Sequence, residues 1–245
     1  MLVAAISDIH ANLPALETVL ADIDSTGVEE IWFLGDAVGY GAQPSECLRL
    51  VDSRCSISLL GNHDLAALGE IDISTFSPGA ARSALWTREN LTEEDLALLR
   101  KIGQASGSKE GYGLYHASPR DPVWEYVVEA DLAAENMDAQ TERIALIGHS
   151  HIALYFNRAD QSSETSSVLG SDGSSIDLAE GEWLVNPGSV GQPRDGDPRA
   201  AWLELDTTTQ QATFHRVEYP IDAAAESIRD AGLPGHLADR LYQGH

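Results

Sequence analysis

Four times along this 245-residue chain, a short apolar run that includes β-branched residues stops abruptly at a cluster of Asp, Asn, Gly and His. Leu2–Ile6 leads to Asp8-Ile9-His10, and Ile31–Leu34 leads to Gly35-Asp36. Ile57–Leu60 leads to Gly61-Asn62-His63-Asp64, and Ile144–Ile147 leads to Gly148-His149-Ser150-His151. Runs of that kind read as strands buried on both faces, as in sheets with parallel pairing. A fifth pair, Tyr115-His116, closes a strand ending at Leu114.

Between the early strands the period changes from 2 to 3.6. Asn12 is placed to cap a helix whose apolar positions Leu13, Leu16, Val19, Leu20 and Ile23 recur at three- and four-residue steps, with Gly27 as its stop. A second helix is expected from about Ser45. Strand-helix alternation predicts an α/β core with parallel strands. Residues 65–102 carry no strand signal and read as a helical insertion, a candidate lid, with helices over Ala80–Leu91 and Thr92–Leu99. Thr92-Glu93-Glu94-Asp95 opens the latter as a capping box with Asp in the third position. Gly103–His116, Ala153–Ile176 and Ala200–Val217 read as antiparallel hairpins, and the Ser- and Asp-rich stretch 160–175 as a turn or mobile loop. Two helices close the chain, near 221–231 and 235–243. The expected architecture is a layered α/β/β/α protein with two sheets, one domain over residues 1–245.

Charge narrows the function. Fifteen Lys plus Arg face 39 Asp plus Glu, a formal charge of −24. That argues against attraction to nucleic-acid polymers or anionic membranes, whose binders carry a basic face. No apolar run is long enough to span a bilayer, and Leu2–Ile6 lacks the length and charged flank of a signal peptide. Cys47 and Cys55, eight apart, suggest neither a disulfide framework nor a thiolate zinc site. A cytoplasmic, reduced protein is expected.

Each polar cluster alone has a bland reading. Asp8 could be a helix cap, Gly35-Asp36 a turn, Asn62 and Asp64 caps of the next helix, and His116 a structural residue. Their joint occurrence after five strands points elsewhere, because ligands in α/β sheets bind beyond the carboxyl ends of strands. Asp, Asn and His are hard-to-borderline donors suited to Mn, Fe, Zn, Co or Ni. Seven such groups exceed one tetrahedral ion and suit two ions sharing a carboxylate, about 3.5–4 Å apart. Rival catalytic motifs (GxSxG, the P-loop, GxGxxG) are absent.

The order DxH, GD, GNHD, H, GHxH resembles the calcineurin-like metallophosphoesterases, and within them the small bacterial and archaeal phosphodiesterase-like branch. The strings Gly35–Gly41, Ser118–Pro122 and Asn186–Arg194 are similar to that branch as well. Ala11 and Ala117 stand where Gly is commoner after the metal-binding His. The resemblance implies a four-layer α/β/β/α sandwich of two mixed sheets. It implies that Asp8, His10 and His151 hold a first divalent metal, that Asn62, His116 and His149 hold a second, and that Asp36 bridges them. His63 would protonate the leaving oxygen, oriented by Asp64, while a metal-bridging hydroxide attacks phosphorus. The implied activity is a phosphodiesterase on small phosphorylated metabolites or nucleotides. The alternatives are a protein phosphatase, or a non-catalytic scaffold of the same fold, as in the retromer subunit. The intact ligand set and His63 favour catalysis.

Arg120 and Arg194 each follow a proline and are candidates for substrate binding, or for fixing a loop through a carboxylate. Tyr40 either borders the pocket or packs. Trp32 and Trp86 read as packing residues and His215 as a structural or surface residue. A small phosphorylated substrate is the expected partner, and a homo-oligomer is compatible with this reading.

Overall fold

The computed structural model describes residues 1–245. Along the first half run β1 (Leu2–Ile6), α1 (Leu13–Asp24), β2 (Glu30–Phe33), α2 (Pro44–Arg54), β3 (Ile57–Ser58), α3 (Asn62–Leu68), α4 (Pro78–Asn90), α5 (Glu93–Ile102), β4 (Ser106–Lys109) and β5 (Tyr112–Tyr115). There follow α6 (Ala130–Ala139), β6 (Ile144–Leu146), β7 (Ala153–Arg158), β8 (Ser166–Leu169), β9 (Ser175–Asp177), β10 (Glu182–Pro187), β11 (Ala200–Asp206), β12 (Gln211–Val217), α7 (Ile221–Asp230) and α8 (Gly235–Asp239).

The strands form two mixed six-stranded sheets, ordered β3-β2-β1-β11-β12-β9 and β4-β5-β6-β10-β7-β8. The apolar runs pair in parallel, β1 with β2 and β2 with β3, and β6 with both β5 and β10. Alternation along each strand then assigns the layers. Val3 and Ala5 of β1, Leu203 and Leu205 of β11, Ile144 and Leu146 of β6, and Trp183 and Val185 of β10 meet in the core between the sheets. The intervening Ala4, Ile6 and Trp202 face α1, α2, α7 and α8, while Ala145 and Leu184 face α6. The result is the expected four-layer α/β/β/α sandwich.

Local signals hold where polar groups act locally. Asn12 accepts from the Ala15 N–H to start α1, and Thr92 and Asp95 close the capping box of α5. Trp32 joins the inter-sheet core. Trp202 donates to Asp22 and stacks on His215, ring centres 4.1 Å apart, so His215 packs as expected.

The structure departs from the sequence pattern at three places. The strand expected over Ile57–Leu60 holds only Ile57–Ser58, because the Leu60 N–H leaves the sheet for the Gln104 carbonyl. The stretch 160–175 contains β8, which pairs with β7 through backbone bonds although its residues are exposed. Ile176 does not finish that hairpin; it lies in β9 and crosses to the other sheet against β12. Neither α6, whose only large apolar residues are Leu132 and Met137, nor β10 stands out in the sequence pattern. No helix is long and apolar enough to cross a membrane.

Candidate functional site

The strand ends converge on strained backbone. Seven of the nine non-glycine residues with positive φ lie here: Asp8, His10, Ala11, Asp36, Tyr40, His149 and His151, with φ between 50° and 63°. Left-handed backbone costs such residues roughly 1–2 kcal/mol each. The loops withstand it because they are cross-tied: the N–H groups of Asp8, His10 and Ala11 donate to Gly35, Asp36 and Ala37, and Gly191 N–H donates to Asp8 O. Gly61 is required on different grounds, since a Cβ there would overlap the Asp36 carboxylate.

The donor atoms gather from five separate segments, all buried. His10 Nε2 stands 3.0 Å from His151 Nε2, and His151 Nε2 stands 3.4 Å from Asp8 Oδ1. His116 Nε2 lies 3.2 Å from Asn62 Oδ1. Asp36 Oδ2 is 3.6 Å from His10 Nε2 and also 3.6 Å from His116 Nε2, so one carboxylate oxygen serves both groups. Asp8-His10-His151 and Asp36-His116-His149 each bring their ligand atoms within 4.8 Å of one another.

The surroundings aim these rings. Nδ1 of His10, His116 and His151 meets the carbonyls of Val38, Leu34 and Gln192 at 3.0, 2.9 and 2.7 Å. That places the proton on Nδ1 and leaves the Nε2 lone pair inward, the usual support for a metal-binding histidine. Burial holds His10, His149 and His151 well below the ordinary imidazole range, so they are neutral. Burial pushes Asp8 up to about 7 and raises Asp36, to which the Asp64 charge adds. Asp8 Oδ1 and His149 Nε2 are buried with no hydrogen-bond partner. Neutral imidazoles, costly buried carboxylates and inward orphan atoms fit divalent cations, which would repay the desolvation.

His63 and Asp64 sit beside this cluster at the start of α3. The Asp64 carboxylate accepts the N–H groups of Asp36, Ala37, Val38 and Gly61 at 2.8–3.3 Å. It makes no hydrogen bond to the His63 ring, whose Nδ1 is buried without a partner. The contact expected between the two is therefore absent: four backbone donors saturate the carboxylate, which braces the bridging loop instead. Burial, with the charge of Arg194 adding, pushes His63 down to about 3. Its ring touches Tyr40 and Phe76, with centroids 4.4 and 4.9 Å away.

A cleft of 420 Å³ opens over the cluster, and Asn62, His63 and His149 reach its floor. Arg194 lines it. Arg120 does not: its guanidinium is paired with Glu135 on the surface, the loop-fixing arrangement. The helical stretch supplies Phe76, Ser77 and Ala80 to one wall, and Tyr40 N–H donates to Ser83 of α4. Sequence reasoning missed Trp124, Tyr126 and Arg240 in this cleft. Trp124 and Tyr126 carried a readable signal, two large aromatics in a loop just after Pro122. Arg240 carried none.

Two sheets with Asp, Asn and His on adjoining strand ends define a metallophosphoesterase architecture. A sequence model of the calcineurin-like phosphoesterase superfamily domain matches residues 1–208, and the chain belongs to that superfamily, a family of phosphate-ester hydrolases. An uncharacterized protein of Methanocaldococcus jannaschii is 36% identical over 99% of this chain and 98% of its own length. The crystal structure of a metallophosphoesterase from Sphaerobacter thermophilus superposes with a TM-score of 0.90 at 41% identity, covering 100% of this chain and 99% of that one. The symmetrical bis(5'-nucleosyl)-tetraphosphatase of Actinobacillus pleuropneumoniae is 27% identical over 154 residues, 61% of this chain and 54% of that protein.

Proposed function

We propose that this protein is a dinuclear-metal-dependent phosphodiesterase acting on small phosphorylated metabolites or nucleotides. The observation that carries the reading is Asp36 Oδ2, equidistant at 3.6 Å from a histidine of each donor group. Asp8, His10 and His151 would hold one ion, Asn62, His116 and His149 the other, with Asp36 shared. Such a pair of ions, when bound, supplies Lewis acidity toward phosphoryl oxygens and an activated water as nucleophile.

The chain's own residues do the rest. Arg194 draws the phosphoryl group into the cleft and holds it over the donor cluster. His63 would pass a proton to the leaving oxygen, and an incoming anion would offset the Arg194 charge that adds to burial in holding the ring's proton affinity down. Tyr40 and Phe76 fix that ring by contact, and the stretch 65–102 acts as a lid over it. The cleft volume supports a small substrate, since 420 Å³ is in the range of metabolite pockets. The tetraphosphatase relative supports a nucleotide. Both free cysteines are in keeping with a reducing, cytoplasmic setting.

The test is a hydrolysis panel of phosphodiesters and phosphomonoesters, run on chelated protein with Mn, Ni, Co, Zn or Mg added back. Metal-dependent turnover of small diesters is expected. Turnover that survives chelation, or confined to phosphoproteins, overturns the reading.

A further inference from the structure

We propose that Arg240, together with Arg194, forms an anion subsite that selects substrates carrying a second phosphoryl group next to the one being cleaved. This rests on the phosphohydrolase reading and adds to it the class of substrate.

In this acidic chain, two-thirds of the basic side chains are paired with a side-chain carboxylate. Ten of the 15 lysines and arginines stand within 4.0 Å of one, and Arg194 and Arg240 do not. Both instead line the cleft over the donor cluster. Their guanidinium carbons stand 5.8 and 5.9 Å from the centre of the same ring, Tyr40. Arg194 donates to Gln192 Oε1 at 3.1 Å and reaches the Tyr40 hydroxyl at 3.4 Å, but its buried Nε has no partner. Arg240 is anchored through Nε to the main-chain oxygen of His245, the last residue of the chain, and its terminal nitrogens donate to no protein atom.

Two like charges thus lie against one aromatic ring, half-buried and without a side-chain carboxylate as partner. Burial, with the Arg194 charge adding, lowers Arg240, which records the cost of that arrangement. A single scissile phosphoryl lying over the donor cluster needs one such cation. The second guanidinium, with its donors free, suits a second phosphoryl, because arginine forks bind phosphate oxygens in pairs. Arg240 comes from the turn after α8, outside the 1–208 stretch matched by the superfamily domain. The catalytic cluster and this selectivity therefore come from separate parts of the chain.

Two 4-nitrophenyl esters that differ by one phosphoryl group, that of AMP and the β-ester of ADP, test the assignment on the metal-loaded protein. The ADP ester should be preferred, and Arg240→Ala should cut the ADP/AMP ratio of kcat/KM about tenfold, the loss lying in KM. Arg240→Lys should keep part of the ratio. Calorimetric binding gives a readout independent of turnover: ADP should bind more tightly than AMP, and the difference should shrink about tenfold in Arg240→Ala. If the ratio and the binding difference are unchanged in Arg240→Ala, or both esters lose equally, the subsite is wrong. If neither ester is hydrolysed with any metal but the calorimetric difference follows Arg240, the hydrolase reading fails and the anion subsite stands.

Discussion

Asp36 uses both carboxylate oxygens: Oδ1 accepts the His63 N–H at 2.8 Å and Oδ2 stands between the two histidine groups. Asp36→Ala should therefore lose both ions together, from about two per chain to less than one, read by metal analysis of the purified variant. Full occupancy in that variant would remove the bridging assignment. His63 lies one residue from a proposed ligand yet carries a separable role. His63→Ala should retain metal while kcat on alkyl esters falls roughly 10²–10⁴-fold, the range of general acid catalysis. Nitrophenyl esters, whose leaving group needs no proton, should lose far less. Equal losses on both ester types, or loss of metal, would sink the proton-donor role. Asp64 teaches the opposite lesson: the family resemblance implied a partner for His63, and the fold gives its oxygens to backbone N–H groups instead.

β2 opens with Glu30, whose Oε2 receives Lys109 Nζ at 2.6 Å, Trp32 Nε1 at 3.0 Å and Ser56 Oγ at 2.8 Å. Lys109 belongs to β4 of the other sheet, so this group pins the rims of the two sheets together. The Lys109 bond, then those of Trp32 and Ser56, hold the carboxyl down at about 2, against 4.5 for an ordinary Glu. A depressed folded pKa means stability that is present above about 4.5 and lost as pH falls through about 2. The site is partly open to solvent, so about 1 kcal/mol is at stake. Melting curves from pH 7 to 2 should show Glu30→Gln less stable than the parent at neutral pH and the gap closing in acid. A gap independent of pH would mean the tie contributes no charge-dependent stability. Elements of this scale were legible where apolar periodicity was strong, as in β1, β2, β6 and α1. They were not legible in β8, whose Ser-Ser-Val-Leu is held by edge pairing alone, because pairing depends on a partner strand distant in sequence.

The whole molecule carries −24, yet its cleft presents two arginines without side-chain carboxylate partners. A small anion is drawn to the pocket, whereas a long polyanion must also lie along the acidic surface, where repulsion is screened only over about 8–10 Å at physiological salt. Small diesters should be turned over better than DNA or RNA, and any cleavage of polymers should rise with salt. Efficient, salt-insensitive degradation of duplex DNA would contradict this.

The sequence by itself determined the two-sheet α/β architecture and singled out the residues proposed as donors. Apolar runs bury wherever they fall, and an Asp or His that follows such a run emerges at a strand end. The folded chain decided which donors meet and what surrounds them. The left-handed turns bring Asp36 within equal reach of His10 and His116, Arg120 goes to Glu135, and Arg240 enters the cleft from a turn about two hundred residues away from Asp36. Those outcomes depend on loop cross-ties and on contacts between segments far apart in the chain, which no local pattern of residues encodes.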